Sequence, residues 1–182
     1  MLIKLQDATK ILDHRFVINN INFEFKSGNI YGIVGQNGSG KTMLLRAIAG
    51  LICLNRGTIT VDGKVLNKDI SFPPDIGIII EKPELLPYLS GLDFNSKQIV
   101  KKYSLGMKQK LGIIQAIMED PSLLLLDEPF NALDAESVDI LRSILLQYKE
   151  QGKLIILTSH HQEDIMSVCN QVIHLQDGCI LN

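Results

Sequence analysis

The chain has 182 residues, of which 46% are apolar and 21% charged, and it carries a net charge of -2 at pH 7 with a mean hydropathy of +0.15. A chain of this length and composition folds around a sizeable core, which excludes general disorder. The slight excess of acidic residues argues against nucleic acid as a partner, because nucleic-acid-binding domains concentrate basic residues.

Cysteine usage and the N-terminus predict a cytoplasmic protein. The three cysteines are an odd number without a C-x-x-C pair, which argues against a disulfide framework and a zinc knuckle. Lys4 and Asp7 interrupt the N-terminus before a secretory leader can develop. Apolar runs such as Leu123–Leu126 are too short to cross a bilayer, so we expect any membrane role to come through a partner.

Short strands and two hairpin turns are the antiparallel elements of the chain. Leu2–Leu5 and Ile21–Phe25 read as strands, the second with the alternation of a half-buried sheet. Asp62-Gly63 and Asp177-Gly178 favour tight turns with positive φ. The runs that these turns separate are Thr58–Val61 and Lys64–Leu66, and Val172–Leu175 and Cys179–Leu181. We expect the antiparallel strands to form an accessory sheet.

The remaining segments are typical of a layered α/β fold. Four runs are apolar on both faces, as buried parallel strands are: Ile30–Val34, Ile76–Ile80, Ser122–Leu126 and Leu154–Thr158. Three segments have apolar residues at helical spacing: Leu44, Leu45, Ile48 and Leu51; Met107, Leu111, Ile114 and Ile117; and Val138, Leu141, Leu145 and Tyr148. Gly152 is placed to end the last helix. This order predicts one α/β domain over residues 1–182, with a central, mostly parallel sheet flanked by helices.

A phosphate-binding loop follows the run Ile30–Val34 and precedes a helix. It matches G-x-x-x-x-G-K-S/T at every fixed position and reads Gly35-Gln36-Asn37-Gly38-Ser39-Gly40-Lys41-Thr42. The glycines let N–H groups form an anion nest, Lys41 reaches the β and γ phosphates, and the Thr42 hydroxyl suits magnesium. The sequence therefore predicts a P-loop NTPase that binds ATP and Mg²⁺, the alternative being a glycine-rich turn that binds nothing.

An acidic pair ends the apolar run Leu123–Leu126. We expect Asp127 to join the magnesium shell and Glu128 to orient or deprotonate a water molecule. Acidic residues at the carboxyl end of a parallel strand lie at the edge where α/β folds bind ligands. A strand that ends in a solvated loop is the alternative.

Three further segments complete a resemblance to a known family. The signature-like segment has the form S-x-G-M-x-Q and reads Tyr103-Ser104-Leu105-Gly106-Met107-Lys108-Gln109. Asn131-Ala132-Leu133-Asp134 is similar to a D-loop, and His160 to a switch histidine. With its motifs in family order, the chain resembles the nucleotide-binding subunits of ABC transporters nearly end to end. The form of the signature resembles that of drug and antimicrobial-peptide exporters.

The resemblance implies an ATPase that works with partners. Family members form homo- or heterodimers, head to tail, in which ATP lies between the phosphate loop of one subunit and the signature segment of the other. By this resemblance Ser104, Gly106 and Asp134 belong to the nucleotide site, and His160 contacts the γ-phosphate. It also implies transmembrane permease subunits as partners and a peripheral position at the inner face of the cell membrane.

The residues alone leave alternatives open for these segments. Ser104 and Gly106 at a helix start offer a hydroxyl and N–H groups to a phosphate, but Ser104 can equally be a plain helix N-cap. His160 follows a strand beside the Asp127 strand end, where it can donate to a phosphate; a lone histidine is otherwise read as packing. The other histidines read as packing or surface residues, namely His14, His161 and His174.

The chain departs from the family pattern at three places. Glu81 stands where the family has a glutamine; its carboxylate still suits a metal ion, unless it is a solvated loop residue. Residues 82–103 leave room only for a shortened helical subdomain of a helix or two, around Leu92–Lys102. The usual adenine-stacking aromatic is missing at Ile11-Leu12; Phe16 is a substitute through its ring face, or else a core residue.

The sequence thus predicts an ATP-binding and hydrolysing subunit that powers an ABC transporter, with export favoured over import. A weakly active or non-enzymatic regulatory or assembly subunit is the alternative. A soluble ABC-type ATPase of DNA repair or translation is a third hypothesis. It predicts basic patches, a second cassette or long coiled-coil inserts, and the sequence has none of these.

Overall fold

Two sheets and four helices lie in the part of the chain that the computed structural model describes, which is residues 1–80, 104–160 and 162–181. The strands are β1 (Leu2–Leu12), β2 (Arg15–Lys26), β3 (Asn29–Val34), β4 (Arg56–Val61), β5 (Lys64–Val65), β6 (Ile76–Ile79), β7 (Leu123–Leu126), β8 (Leu154–Ser159), β9 (Gln171–Gln176) and β10 (Cys179–Leu181). The helices are α1 (Lys41–Ile48), α2 (Leu105–Ile117), α3 (Ala135–Glu150) and α4 (Gln162–Met166). One sheet has the order β2-β1-β4-β5, and the other has the order β10-β9-β3-β8-β7-β6.

The four-stranded sheet is antiparallel throughout, as predicted for the accessory sheet. Its strands β1 and β2 are much longer than predicted, because both continue through bulged positions. Asp7 and Asn20 have φ values of 49° and 51°, and the N–H of Asp7 donates to the Asn22 side chain at 2.9 Å. Such bulges interrupt the period-two alternation from which a strand is predicted, so the predicted strands ended too early.

Both predicted hairpin turns are confirmed, but the second belongs to the central sheet. Asp62-Gly63 and Asp177-Gly178 have φ values between 48° and 81°, as tight hairpin turns require. Strand β9, however, pairs in parallel with β3 and antiparallel with β10. The expectation that this hairpin lies in the accessory sheet is wrong, because Ile173 and Leu175 of β9 are buried in the core beside β3.

The predicted parallel strands are confirmed, and apolar layers cover both faces of their sheet. Every residue of β7 and β8 is buried. One layer includes α1 and the inner face of the accessory sheet, and the other includes α2 and α3. Strand β6 forms the end of the described sheet, and there Ile78 is 37% exposed. Burial on both faces was therefore predicted correctly for β7 and β8 and wrongly for β6.

The predicted helices are present, but two of their apolar stripes differ from the prediction. Helix α1 ends at Ile48, and Leu51 lies beyond it, exposed. In α2 the buried residues are Gln109, Gly112, Ile113 and Ala116, whereas Met107 and Ile114 are exposed. The buried face of α2 therefore carries one polar and two small residues. Of the predicted stripe, Ile117 packs against the core, partly buried, so the prediction is wrong for Met107 and Ile114.

Helix α3 begins and ends at strong capping signals. The Asp134 side chain accepts a hydrogen bond from the N–H of Ser137, as an N-cap does. At the other end Gly152 has φ +80°, and its N–H donates to the Lys149 carbonyl oxygen at 2.9 Å. The predicted role of Gly152 in ending this helix is confirmed.

Candidate functional site

The carboxyl ends of the parallel strands bring the predicted site residues to one edge of the central sheet. The phosphate loop follows β3, Asp127 and Glu128 follow β7, and His160 follows β8. These three strands are neighbours in the order β3-β8-β7. The arrangement is the one in which α/β folds bind ligands.

The phosphate loop wraps around the amine of Lys41. Lys41 is only 7% exposed, and its Nζ donates to the carbonyl oxygens of Gly35 at 2.7 Å and Gln36 at 3.2 Å. Gly40 has φ +104°, and a Cβ there would lie 2.3 Å from the Val17 carbonyl oxygen, so no larger residue fits. The loop therefore requires glycine at position 40, and the anion nest of its N–H groups stays a prediction.

The loop also holds an unsatisfied polar atom. Among the described residues, the Ser39 hydroxyl is one of two buried side-chain polar atoms that lack a hydrogen-bond partner. A buried hydroxyl without a partner costs free energy unless a ligand or water completes it. Together with the amine of Lys41 at the N-terminus of α1, this hydroxyl fits a phosphate group.

Thr42 and Asp127, the two predicted metal ligands that lie in the described residues, are in direct contact. The Thr42 hydroxyl donates to Oδ2 of Asp127 at 2.7 Å, and Asp127 is only 8% exposed. The other carboxylate oxygen, Oδ1, accepts a hydrogen bond of 2.6 Å from the Thr158 hydroxyl. A hydroxyl and a carboxylate are the hard oxygen donors that Mg²⁺ prefers, so these residues fit the ion.

The two predicted catalytic residues also contact each other. His160 Nδ1 hydrogen-bonds Oε2 of Glu128, and the Asn131 amide donates to the same oxygen at 2.8 Å. Glu128 has φ 52°, a left-handed conformation that non-glycine residues adopt mainly at turns and functional sites. The site therefore orients the Glu128 carboxylate through two side chains.

The signature segment begins helix α2 and packs against the D-loop segment. The Ser104 hydroxyl accepts from the N–H of Met107 at 3.2 Å, so Ser104 is the helix N-cap that the sequence left as an alternative. A Cβ on Gly106 would lie 2.4 Å from the Ala132 carbonyl oxygen. That close approach gives Gly106 a packing role within the chain, and the contact of both residues with a nucleotide stays a prediction.

Asp134 also has contacts within its own chain. Besides capping α3, it accepts a hydrogen bond from the Lys110 ammonium at 2.7 Å. Hydrogen bonds from Lys110 and from Ser137 hold the pKa of Asp134 well below its usual range. The carboxylate therefore stays ionised at neutral pH and links α2 to α3.

Phe16 lies near the phosphate loop rather than in the core. It is the second residue of β2 and is 54% exposed, so the alternative of a core residue is wrong. The carbonyl oxygen of the next residue, Val17, packs against Gly40 of the loop. An exposed aromatic ring at this position is available for stacking, which stays a prediction.

Three residues near the site had no predicted role there. Thr158 and Asn131 contact the acidic pair, and His174 lies with His160 in the lining of a cavity of about 410 Å³ beside the phosphate loop. The signal for Thr158 is its position at the carboxyl end of a parallel strand, next to the strand of Asp127. His174 and His14 are exposed, as expected for surface residues.

Some predictions fall on residues that the structure does not describe. Glu81, the subdomain at 82–103 and His161 lie outside the described residues. Within the described ranges, no helix is long and apolar enough to span a bilayer.

Comparison with known proteins gives consistent matches. The family model described as ABC transporter matches residues 18–100 and 84–131. An uncharacterized ABC transporter ATP-binding protein of Bacillus subtilis is 45% identical, over 97% of this chain and 94% of its own length. A lantibiotic transport ATP-binding protein of Streptococcus pyogenes is 31% identical, over 99% of this chain and 89% of its own length.

Solved structures match the fold as well. An ATP-binding subunit of an ABC transporter superposes with a TM-score of 0.84 and 22% identity, over 99% of this chain and 88% of that chain. A dimeric bacterial ABC transporter cassette gives a TM-score of 0.82 and 21% identity, over 99% of this chain and 97% of that chain. At this identity the likeness concerns the fold.

Proposed function

The chain belongs to the ABC transporter family of ATP-binding proteins, and from this premise we propose that its sheet-edge site hydrolyses MgATP to drive export. That it is an ATP-binding ATPase subunit of a transporter follows from the family. The roles of individual residues, the use of magnesium, the partners and the direction of transport are the proposal.

One observation carries the proposal. A continuous set of hydrogen bonds runs from Thr42 of the phosphate loop through Asp127 and Thr158 to Glu128 and His160. Phosphate binding, metal binding and water activation need residues of different chemistry within a small space. The set supplies those residues at one edge of the sheet.

The residues have distinct tasks in hydrolysis. The loop N–H groups and Lys41 bind the β and γ phosphates. Thr42 and Asp127 would hold Mg²⁺, which neutralises charge on the phosphates. Glu128 orients the attacking water and accepts its proton, while His160 fixes the carboxylate and donates to the γ-phosphate. Phe16 stacks on the adenine ring.

The partner subunit completes the site in this proposal. Ser104 and Gly106 of one chain contact the γ-phosphate bound to a second ATP-binding subunit, and Asp134 lies in the segment that faces it. Ser104 is exposed, which leaves its helix start open to such contact. Glu81 is proposed as a further metal contact, in place of the family glutamine.

The membrane partner and the direction of transport rest on the relatives and on the signature. We infer that transmembrane permease subunits bind the chain at the inner face of the membrane. Relatives named for lantibiotic transport and bacitracin transport, each 31–32% identical, support a similar cargo class. The S-x-G-M-x-Q form from Ser104 to Gln109 supports export.

Two titrations of the purified chain with ATP test the site, one in the presence of Mg²⁺ and one in the presence of EDTA. We expect tighter ATP binding with Mg²⁺ in calorimetry, and phosphate release that requires it. Absence of ATP binding under both conditions would refute the proposed site. Binding without any effect of Mg²⁺ would refute the metal roles of Thr42 and Asp127.

A further inference from the structure

We propose that Thr158 is a positioning residue that orients both Asp127 and Glu128, and so sets the Mg²⁺ affinity and the turnover of the site. Its hydroxyl donates to Oδ1 of Asp127 at 2.6 Å and accepts from the main-chain N–H of Glu128 at 3.0 Å. One side chain thus contacts the proposed metal ligand and the proposed base. This role rests on the functions proposed above for those two residues.

The fold directs the Thr158 side chain to this point. Leu154 and Ile156 of β8 pack in the same core layer as α1, and side chains alternate along a strand. Thr158 therefore points to the α1 side of the sheet, where Thr42 lies in the first turn of the helix. Leu126 pairs with Leu157, which places Thr158 beside Asp127 at the end of the ladder.

The first consequence concerns the Asp127 carboxylate. Thr158 binds one carboxylate oxygen and Thr42 the other, so the plane of the carboxylate is fixed from both sides. When a ligand replaces the Thr42 contact, Thr158 still holds Oδ1 and keeps Oδ2 directed at the phosphate loop. Partners that orient a metal ligand in this way typically change metal affinity or activity by about 10–100-fold when they are removed.

The second consequence concerns Glu128. Its main chain has φ 52°, which costs free energy and must be held by its surroundings. The hydrogen bond from the Glu128 N–H to Thr158 holds the main chain of Glu128. His160, two residues after Thr158, holds the Glu128 carboxylate. Thr158 itself is 0% exposed, so water does not replace its hydroxyl. Loss of the hydroxyl would leave the buried Asp127 Oδ1 and the Glu128 N–H without this partner.

Substitution of this hydroxyl tests the role. We expect Thr158→Val, which keeps the shape, to lower kcat by about 10–100-fold and to weaken the effect of Mg²⁺ on ATP binding by a similar factor. Affinity for ATP in EDTA should stay near wild type, because the phosphate loop is unchanged. Thr158→Ser keeps the hydroxyl and should restore both kcat and the Mg²⁺ effect. Calorimetry and phosphate release provide the two measurements.

Thr9→Val is the matched control. Thr9 is also buried, at 7% exposure, and its hydroxyl also donates once and accepts once, but in the accessory sheet. The Thr9→Val substitution should lower the unfolding temperature without changing the effect of Mg²⁺ on ATP binding. Equal losses in Thr9→Val and Thr158→Val would overturn the positioning role, since a general loss of stability would explain both.

Three other outcomes would also count against the inference. A folded Thr158→Val protein with wild-type kcat and Mg²⁺ effect would overturn it, and so would failure of Thr158→Ser to restore them. If Thr158→Val does not fold, Thr158→Cys replaces it, because a thiol is a weak donor of nearly serine size; wild-type behaviour of that variant would equally overturn the role. A wild-type chain without any Mg²⁺ effect refutes the proposed metal site instead, which separates the two failures.

Discussion

Lys41 contributes both to the loop conformation and to the charge of the site. Its buried amine donates to the Gly35 and Gln36 carbonyl oxygens, so the positive charge is fixed at the centre of the loop. We predict that Lys41→Ala weakens MgATP binding at least about tenfold, because charge-assisted hydrogen bonds to the phosphates are lost. Calorimetry measures this, with Lys4→Ala as the control, since Lys4 forms a partly exposed ion pair with Glu24. Unchanged affinity would show that the N–H groups alone bind the triphosphate.

The side chains that hold Glu128 can hydrogen-bond a glutamine side chain in the same way. Asn131 and His160 both bind its Oε2, so Glu128→Gln should preserve folding and ATP binding. We predict a fall in turnover of about 100-fold or more, since a positioned base is lost. Phosphate release checks this, with the exposed Glu119→Gln as the control. Turnover close to wild type would show that another residue activates the attacking water.

The limits of sequence interpretation are clearest at single residues of the site. Lys41, Thr42, Asp127 and Glu128 were predictable because a short motif or a strand end marks each of them. Thr158 was not, because its contacts depend on β8 lying between β3 and β7, and that strand order involves residues far apart in the chain. Side-chain partners across neighbouring strands require the sheet order before they can be predicted.

Helix α2 shows the same limit at the scale of an element. Its existence follows from helical spacing, but its buried face follows from what it packs against. Gln109 is 7% exposed, and its amide donates to the carbonyl oxygens of Glu128 at 3.4 Å and Pro129 at 3.3 Å. A polar residue faces inward because the chain just after β7 offers it acceptors, and binary patterning contains no such information.

The contact between α2 and the D-loop segment gives a prediction for Gly106. Within a helix alanine is normally more stable than glycine, but here a Cβ would lie 2.4 Å from the Ala132 carbonyl oxygen. We predict that Gly106→Ala lowers stability by roughly 1–3 kcal/mol, as overpacking does. The shift of residues 131–134 should also reduce turnover, because Asn131 contacts Glu128. Thermal unfolding and phosphate release measure the two effects.

Gly152→Ala provides the comparison. Gly152 has φ +80°, but a Cβ there would have no other atom within 4 Å, so alanine should cost about 1 kcal/mol through main-chain conformation alone. It should leave turnover unchanged. A stabilised and fully active Gly106→Ala protein would contradict the packing described for α2.

At the scale of the whole molecule, the layered fold was predictable from the sequence. The sheet to which one hairpin belongs was not. Runs that are apolar on both faces identified the parallel strands. The β9–β10 hairpin has the turn and the alternation of an accessory sheet, yet β9 pairs with β3. Pairing of strands more than a hundred residues apart depends on the whole core, which local patterns do not encode.

The proposed dimer gives the last prediction. The phosphate loop of one chain and the signature segment of another should meet at one ATP molecule. Asn37 and Ser104 are both exposed and suit labelling by cysteine, whereas Ser39 is buried and does not. Of the native thiols, Cys53 and Cys179 are replaced by serine. Cys169 can remain, because burial raises the pKa of its thiol to about 12 and keeps it unreactive at neutral pH.

One preparation then carries Asn37→Cys and another Ser104→Cys, each with Glu128→Gln to retain ATP. We expect a short thiol cross-linker to join the two preparations only when they are mixed with MgATP, giving a product of twice the chain mass on a denaturing gel. Glu119→Cys, on an exposed residue just beyond the other end of α2, should not link to Asn37→Cys. The reason is geometric, since only the start of α2 would face the partner's phosphates. Linking within one chain that carries both cysteines, at high dilution, would place the contact inside a monomer. Absence of any link with MgATP would refute a site shared between two copies of this chain.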